Sequence, residues 1–317
     1  MAALGVLAAL SVATGAGVAV ARGTDRASGV DRTSGVDRAS GTARPAGAEK
    51  RAATRVLAHP TASRASPRVS APAGIPSAAR FSGSPTIGAL LYSRGRNPRM
   101  CSAAVIDSPT GNLVATAAHC VDGRRFATNV EYVPDYTDGK APYGVWPVRA
   151  ITVASGWQQR HNPDLDLAFL TVAAVRGRQV QAVTGGLSIG FNLGYDQRIE
   201  AVAYDDTGSE PVRCATRSFQ FRAGQLEFFC SGFSGGTSGA PLVVGYNPAN
   251  GAGTLVGVIG GYEDGGRYPW ASYSPYFGSA LRAAYQLAEL RSAAVARGQQ
   301  AGAWSRPAPE SHGAKFA

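Results

Sequence analysis

From Phe81 onwards the sequence consists of short runs of β-branched and aromatic residues, and this pattern most constrains the fold. Runs such as "TIGALLYS", "LDLAFLTVA" and "APLVVGY" are separated by turn residues, as in "SPTGN" and "YNPANGAG". Many short strands with close turns are typical of an all-β sandwich or barrel. One helical pattern follows, "SALRAAYQLAELRSAAVARG", with Leu281, Tyr285 and Ala288 on one face. We therefore expect an all-β domain with a C-terminal helix.

The first 80 residues have a different composition, with few large apolar side chains after residue 21. Residues 1–21 are apolar and end in Ala-Val-Ala before Arg22, which indicates a cleaved signal peptide; an uncleaved membrane anchor is the alternative. A repeat of the type Asp-Arg-(Ala/Thr)-Ser-Gly-Val covers residues 25–41, and such units bury too little apolar area to fold. We expect a signal peptide, a disordered pro-segment or linker, a folded domain and a tail over residues 1–21, 22–80, 81–291 and 292–317.

The formal charge of +10 lies mainly in this N-terminal region. Residues 1–80 carry 11 Lys/Arg and 4 Asp/Glu, a net of +7, which leaves +3 for the remainder of the chain. The remainder has no run of basic residues interleaved with aromatic residues, so we expect no nucleic acid partner. We also expect no stable membrane association after signal cleavage, and a monomer.

The four cysteines fall into two local pairs in the sequence. Members of a pair are 19 and 16 residues apart, and neither pair has the Cys-x-x-Cys spacing of a zinc or redox site. The chain also places too few histidine or thiolate ligands together, so we expect no metal and no cofactor. Two disulfides, formed in the oxidising surroundings of a secreted protein, are the better interpretation of Cys101, Cys120, Cys214 and Cys230.

Three short motifs each supply one residue type that nucleophilic hydrolysis requires. "TAAHC" contains His119, "DLDLAFLTV" contains Asp164 and Asp166, and "GGTSGAPLVV" contains Ser238. A serine hydroxyl is a poor nucleophile until a base takes its proton, and the base needs a partner that holds its orientation. Alone, each motif has an ordinary structural interpretation as a core histidine, a loop-capping carboxylate or a Ser/Gly turn. Asp166 is the better candidate than Asp164 because it directly precedes the apolar run "LAFL".

The glycines next to Ser238 predict a second feature of such a site. Gly236 and Gly239 permit positive φ angles and a close approach of a ligand to backbone N–H groups. We expect the N–H groups of Gly236 and Ser238 to form an oxyanion hole.

In their order along the chain, the three motifs resemble those of a known enzyme family. "TAAHC" (116–120), "DLAFL" (166–170) and "GTSGAP" (236–241) are similar to motifs of the chymotrypsin-like (trypsin-like) serine peptidases. The resemblance covers residues 81–290 approximately, and it is closest to secreted actinobacterial and bacillary forms related to glutamyl endopeptidases.

The resemblance implies a fold and a role for each motif. It implies two antiparallel β-barrels with the site between them, a general base at His119, an orienting carboxylate at Asp166 and a nucleophile at Ser238. It also implies a disulfide between Cys101 and Cys120 beside the base. The second disulfide, Cys214–Cys230, is our own inference.

The sequence departs from trypsins at positions that affect activation and specificity. Thr237 stands where most trypsin-type members have an aspartate that pairs with a newly cleaved N-terminus, so we expect the oxyanion loop to form without that ion pair. Gly232 stands in place of the acidic pocket base, and the strand "TLVGVIGGYEDGG" lacks the histidine of glutamate-selective relatives. Phe233 is predicted to favour small or medium apolar substrate side chains.

The predicted substrate-binding residues also include a glycine-rich segment whose backbone would pair with an extended substrate. For Glu263 and Asp264, at its rim, a solvated turn is the preferred interpretation over a preference for basic groups. The full predicted set is Gly232, Phe233, Ile259, Gly260, Gly261 and Tyr262.

The sequence thus predicts a secreted serine endopeptidase that acts on proteins or peptides and is made as a zymogen cleaved near Arg80–Phe81. One alternative is a catalytically silent protease-like binding protein. Another is an envelope-associated interaction protein that uses the basic N-terminal region.

Overall fold

The computed structural model describes residues 70–123, 126–206 and 210–298. The predicted signal peptide, the repeat over residues 25–41 and the end of the predicted tail lie outside these residues. Within the described ranges, no helix is both long and apolar enough to cross a membrane.

The described chain is mainly β-structure with a long helix near its C-terminal end. Two short 3-10 turns, Pro163–Leu165 and Tyr262–Gly265, lie near the candidate site. The α-helices are α1 (Ala118–Val121), α2 (Ser155–Arg160), α3 (Gln181–Thr184) and α4 (Ser279–Ala296). The strands are β1 (Ala79–Arg80), β2 (Ile87–Arg94), β3 (Asn97–Ile106), β4 (Leu113–Thr116), β5 (Thr128–Pro134), β6 (Trp146–Val153), β7 (Ala168–Val172), β8 (Ser188–Ile189), β9 (Gln197–Ala203), β10 (Val212–Arg222), β11 (Gln225–Phe229), β12 (Pro241–Asn247), β13 (Ala252–Val258) and β14 (Ala271–Pro275).

The first half of the described chain forms a closed antiparallel barrel with the strand order β2-β3-β4-β7-β6-β5. Every residue of β4 and β7 is buried, which agrees with the unbroken apolar runs in their sequences. Closure removes the open edges that short strands would otherwise expose. The barrel core continues onto α4, where Leu281 and Ala288 of the predicted face are buried, Tyr285 is partly buried, and the unpredicted Ala284 is buried as well.

The second half forms an eight-stranded sheet rather than a second closed barrel within the described residues. Its strand order is β14-β11-β10-β9-β12-β13-β8, and β1 pairs with β10. Two hydrogen bonds join β13 to β14: Val258 N–H donates to Ser274 Oγ at 3.0 Å, and Gly260 N–H donates to Tyr273 O at 3.0 Å. These bonds bring the β13 end of the sheet back against β14 and enclose a separate apolar core.

Ordered structure extends beyond both predicted ends of the folded domain. Upstream of residue 81, Ala78 N–H donates to Ser231 O at 2.8 Å, and Arg80 forms an ion pair with Asp205 at 3.2 Å. Downstream, α4 continues past residue 291, because the fully buried Ser292 hydroxyl bonds to Thr110 Oγ1 at 2.6 Å and to Asn112. Residues 70–80 and 292–298 therefore belong to the ordered part of the chain.

Two disulfides are present, with the predicted pairings. Cys101–Cys120 joins β3 to α1, and Cys214–Cys230 joins β10 to the residue that follows β11. Crosslinks that close loops of this size typically stabilise a fold by about 3 kcal/mol. The first of them lies directly beside His119.

Candidate active site

The candidate site is built around the carboxylate of Asp166, which has no solvent exposure. The 3-10 turn before it starts at Asn162, whose side chain accepts a hydrogen bond from Asp164 N–H at 3.0 Å. The chain then turns directly into the buried strand β7, so the carboxylate faces inward. Because a buried carboxylate is costly unless it is hydrogen-bonded, we expect each of its oxygens to have donors.

Asp166 holds His119 through two hydrogen bonds. The imidazole Nδ1 lies 2.7 Å from Asp166 Oδ2, and the backbone N–H of His119 donates to Asp166 Oδ1 at 2.8 Å. The ring is thereby fixed with Nδ1 on the carboxylate, which leaves Nε2 for other chemistry. Of the two candidate carboxylates, Asp166 is therefore the one that contacts the histidine. Asp164 instead accepts from Arg222 at 3.2 Å.

The same carboxylate connects the two halves of the molecule. Gly261 N–H, from the second half, donates to Asp166 Oδ2 at 2.7 Å. A Cβ at the preceding residue, Gly260, would lie 2.9 Å from that oxygen, which is closer than real Cβ contacts allow. Glycine at this position therefore permits the close approach.

Charges around His119 set the direction of its pKa shift. Burial of the imidazole would lower the pKa, but the charge and hydrogen bond of Asp166, together with the charge of Asp264, outweigh it. Arg94 opposes this increase, and its guanidinium donates to the carbonyl oxygens of His119 and Cys120. The net effect raises the pKa of His119 above its ordinary value of 6.5.

Ser238 lies on a glycine-rich loop that enters β12, and it lines the same small cavity as His119 and Gly236. The cavity has a volume of about 180 Å³. Gly236 has φ +91°, and a Cβ there would lie 2.9 Å from the Asp206 nitrogen. Glycine at this position thus has both a conformational and a steric reason.

Neutral hydrogen bonds hold this loop. Thr237 is buried, and its Oγ1 donates to Ser234 O at 2.7 Å. Ser102, on β3 of the barrel, is fully buried. Its hydroxyl donates to Gly236 O at 3.1 Å and accepts a hydrogen bond from Tyr204 N–H at 2.8 Å. Ser102 N–H also donates to the Ser238 carbonyl at 2.7 Å. Barrel residues therefore support the loop from the opposite half of the molecule.

The predicted pocket residues have different surroundings. Gly232 is exposed, whereas two predicted apolar residues are buried in a core. Gly232 has φ +100° and is exposed, and its N–H donates to Pro269 O at 3.0 Å. Phe233 and Ile259 are buried in the core of the second sheet, and the Phe233 ring packs edge-on against Phe228. Their predicted contact with substrate stays a prediction.

The segment Gly260–Tyr262, predicted to be a backbone partner for substrate, has internal partners for its N–H groups. Its three N–H groups donate to Tyr273 O, Asp166 Oδ2 and Gln225 Oε1. Pairing of this segment with a substrate stays a prediction. The Tyr262 ring packs against two other aromatic rings, those of Phe221 and Tyr273.

Sequence reasoning missed Ser102 and Gln225, which support the site, and it assigned Asp264 only to a solvated turn at the rim. Ser102 holds the loop described above, and Asp264 lies with a left-handed backbone (φ +56°) close to His119 and Asp166. Gln225 is fully buried and uses its amide to join Tyr262 N–H to Pro163 O. The one available signal was the position of Ser102, directly after a disulfide cysteine.

Two groups of possible metal ligands occur among the described residues, and both include His119. One contains Cys101 and Cys120, which are joined in a disulfide. The other contains Asp166 and Asp264, but both oxygens of Asp166 already accept N–H donors. The cysteine sulfurs and the Asp166 oxygens are thus engaged in holding the imidazole and its loop.

Comparison with known proteins gives a consistent result. The family model described as Trypsin matches residues 76–273. The chain is similar to the structure of AL20, a thermostable serine protease from an extremophilic microorganism, with 28% identity and a TM-score of 0.59 over 65% of this chain and 98% of that chain. No curated protein sequence matches the chain.

Two further structures share the fold. Protease Anisep from Arthrobacter nicotinovorans has 24% identity and a TM-score of 0.60, over 67% of this chain and 98% of that chain. A Glu endopeptidase solved in complex with MPD has 18% identity and a TM-score of 0.55, over 68% of this chain and 98% of that chain.

Proposed function

Since this chain belongs to the trypsin family and is a serine endopeptidase, we propose that it cleaves peptide bonds with His119, Asp166 and Ser238 as its catalytic triad. One observation supports this proposal most directly. The imidazole fixed by Asp166 lines a single cavity with Ser238 and with Gly236, the predicted oxyanion residue.

In the proposed mechanism, Ser238 Oγ attacks the peptide carbonyl carbon while His119 Nε2 takes the hydroxyl proton. The N–H groups of Gly236 and Ser238 stabilise the negatively charged oxygen of the tetrahedral intermediate. The C–N bond then breaks as His119 gives the proton to the leaving amine. Water, deprotonated by the same imidazole, attacks the acyl-enzyme ester and releases the carboxylate product, which restores Ser238.

Asp166 contributes by keeping His119 in one tautomer and by stabilising the imidazolium. Three N–H groups donate to its oxygens, so the buried carboxylate is fully hydrogen-bonded within the protein. The Thr237 position needs no charged partner, because neutral hydrogen bonds hold the oxyanion loop. We propose that this loop does not depend on an ion pair with a new N-terminus.

A fluorophosphonate probe tests the catalytic proposal, because it labels only an activated serine. We expect labelling of the purified mature protein, from which the pro-segment has been removed, and complete loss of labelling in Ser238→Ala. Ser234→Ala is the matched control, since it removes a hydroxyl from the same loop and keeps the carbonyl that binds Thr237. Absence of labelling in the parent protein would instead favour the catalytically silent binding protein.

We further propose that the protein is secreted as a monomeric zymogen. The apolar segment over residues 1–21 and the two disulfides support export. Processing near Arg80–Phe81 would cut next to the paired strand β1, which would then stay bound through its bonds to β10 and Ser231. N-terminal sequencing of the secreted protein locates the processed end, and a start well before residue 60 would count against this boundary.

A further inference from the structure

The cavity beside Ser238 has two walls that residues outside the proposed triad provide. Its walls come from the β2–β3 hairpin and from the Asp206–Gly236 side, and Ile259–Tyr262 do not line it. The disulfide sulfur of Cys120 lies 3.8 Å from His119 Nε2 on this side. Because Nε2 donates its proton to the leaving amine, this region faces the substrate residues that follow the scissile bond.

The hairpin that forms this wall is strongly basic. The segment "SRGRNPR" (93–99) contains Arg94, Arg96 and Arg99 and no acidic residue. Arg99 lines the cavity and pairs with Tyr92 across the hairpin, and the Arg94 guanidinium lies 5.6 Å from the centre of the Tyr92 ring. Burial raises the pKa of the Tyr92 hydroxyl, whereas the charges of Arg94 and Arg99 lower it, which places both guanidinium groups near that hydroxyl.

These arginines differ in whether they can bind a substrate. Arg94 is committed to the backbone carbonyls of His119 and Cys120. Arg96 and Arg99 are exposed, and no carboxylate of the described residues forms an ion pair with either. One available positive charge, that of Arg99, therefore lines the cavity, and a second, that of Arg96, lies in the turn at the tip of the same hairpin.

The opposite wall carries less charge than the hairpin does. Among the described lining residues, Asp206 is the single carboxylate, and it lies against the glycine-rich loop. A Cβ at Gly235 would lie 2.4 Å from Asp206 Oδ2, so this carboxylate sits directly on that loop. The hairpin side of the cavity thus keeps an excess of positive charge.

We propose that the β2–β3 hairpin binds the substrate residues that follow the scissile bond and selects acidic side chains there. This inference rests on the proposed peptidase function. A guanidinium binds a carboxylate through paired N–H donors, and a basic rim also attracts acidic segments during encounter. Exposed pairs are individually modest, so the preference is a matter of several-fold and weakens with added salt.

Digestion of a denatured protein mixture tests the inference. Such a mixture offers every residue type before the scissile bond, so the preference of the enzyme at that position need not be known. The protease is the secreted protein after removal of the pro-segment, and the cleavage sites are mapped by mass spectrometry. The three positions after each cut are scored for Asp/Glu against Lys/Arg, for the parent protein and for Arg96→Glu/Arg99→Glu. Arg149→Glu is the matched control, because Arg149 is an exposed residue of β6 that does not line the cavity.

For the parent protein and the control, we expect Asp/Glu to outnumber Lys/Arg at the three positions after the cut. Each of the two arginines should contribute a factor of about two to five to this ratio. The double variant should lose or invert this ratio, and its labelling by the fluorophosphonate probe should be unchanged. Frequent cleavage with equal acidic and basic counts in the parent protein overturns the inference but leaves the peptidase function intact. Absence of both cleavage and labelling overturns the peptidase function, and the inference with it.

Discussion

The two halves of the molecule hold their catalytic candidates in different ways. His119 and Asp166 belong to the closed barrel, where charge-assisted hydrogen bonds at 2.7 and 2.8 Å fix the imidazole on a fully buried carboxylate. Ser238 belongs to the second half, on a loop that hydrogen bonds between neutral groups hold. Two of those bonds come from Ser102, which lies in the barrel.

This difference indicates where each half is vulnerable. The base depends on one charged group, so the loss of that charge should remove most of the activity at once. The loop depends on several neutral hydrogen bonds across the interface between the halves, so the loss of one of them should weaken it only in part. Substitutions in the two halves can therefore be ranked by the size of their effects.

The largest effect is expected for Asp166→Asn. An asparagine keeps the shape of the side chain but places an NH₂ group against N–H donors, so the histidine tautomer is no longer fixed. We expect kcat to fall by about 10⁴-fold, measured on a peptide substrate. Asp164→Asn is the control, because Asp164 pairs with Arg222 and does not contact His119. A loss below about tenfold in Asp166→Asn would contradict the role of this carboxylate.

A smaller effect is expected for Ser102→Ala. The variant leaves Gly236 O and Tyr204 N–H without their buried partner, and the loop that carries the oxyanion donors relaxes. Because removal of one oxyanion donor costs about 10²–10³ in kcat, displacement of the loop should cost about tenfold to a hundredfold, with KM nearly unchanged. Ser218→Ala removes an equally buried hydroxyl, bonded to Tyr195 O, far along the second sheet. Equal kcat losses in both variants would mean that the effect is general destabilisation.

The sequence predicted the elements whose strands are apolar throughout. Strands β4 and β7 are buried at every position, and their sequences contain unbroken apolar runs. By contrast, only three of the eleven residues of β10 are buried. Its regularity comes from backbone pairing with β9 and β11 on either side, which leaves little trace in the side-chain pattern.

The same distinction applies to the candidate site. His119, Asp166 and Ser238 stand in short motifs that resemble a family, so each could be proposed from local sequence. Ser102 acts on Tyr204, which is 102 residues away in the chain, and Gln225 acts on Tyr262, which is 37 residues away. Single buried polar residues of this kind have no local pattern, because their partners are determined only when the two halves pack together.

The smallest effect is expected for Asp264→Asn. This residue of the second half acts on His119 through its charge, and the substitution leaves the hydrogen bonds between His119 and Asp166 in place. The negative charge of Asp264 stabilises the imidazolium, so its removal lowers the pKa of His119. Since His119 acts as a base only when neutral, the acidic limb of the kcat/KM profile should move to lower pH. Rates on that limb should rise by about two- to fivefold relative to the plateau. The control is Glu263→Gln, whose carboxylate pairs with Arg267 at 3.1 Å. If the acidic limb of Asp264→Asn stays at the pH of the parent protein, or if both variants shift it equally, the Asp264 charge does not set the pKa of His119. The second half would then supply only the nucleophile loop.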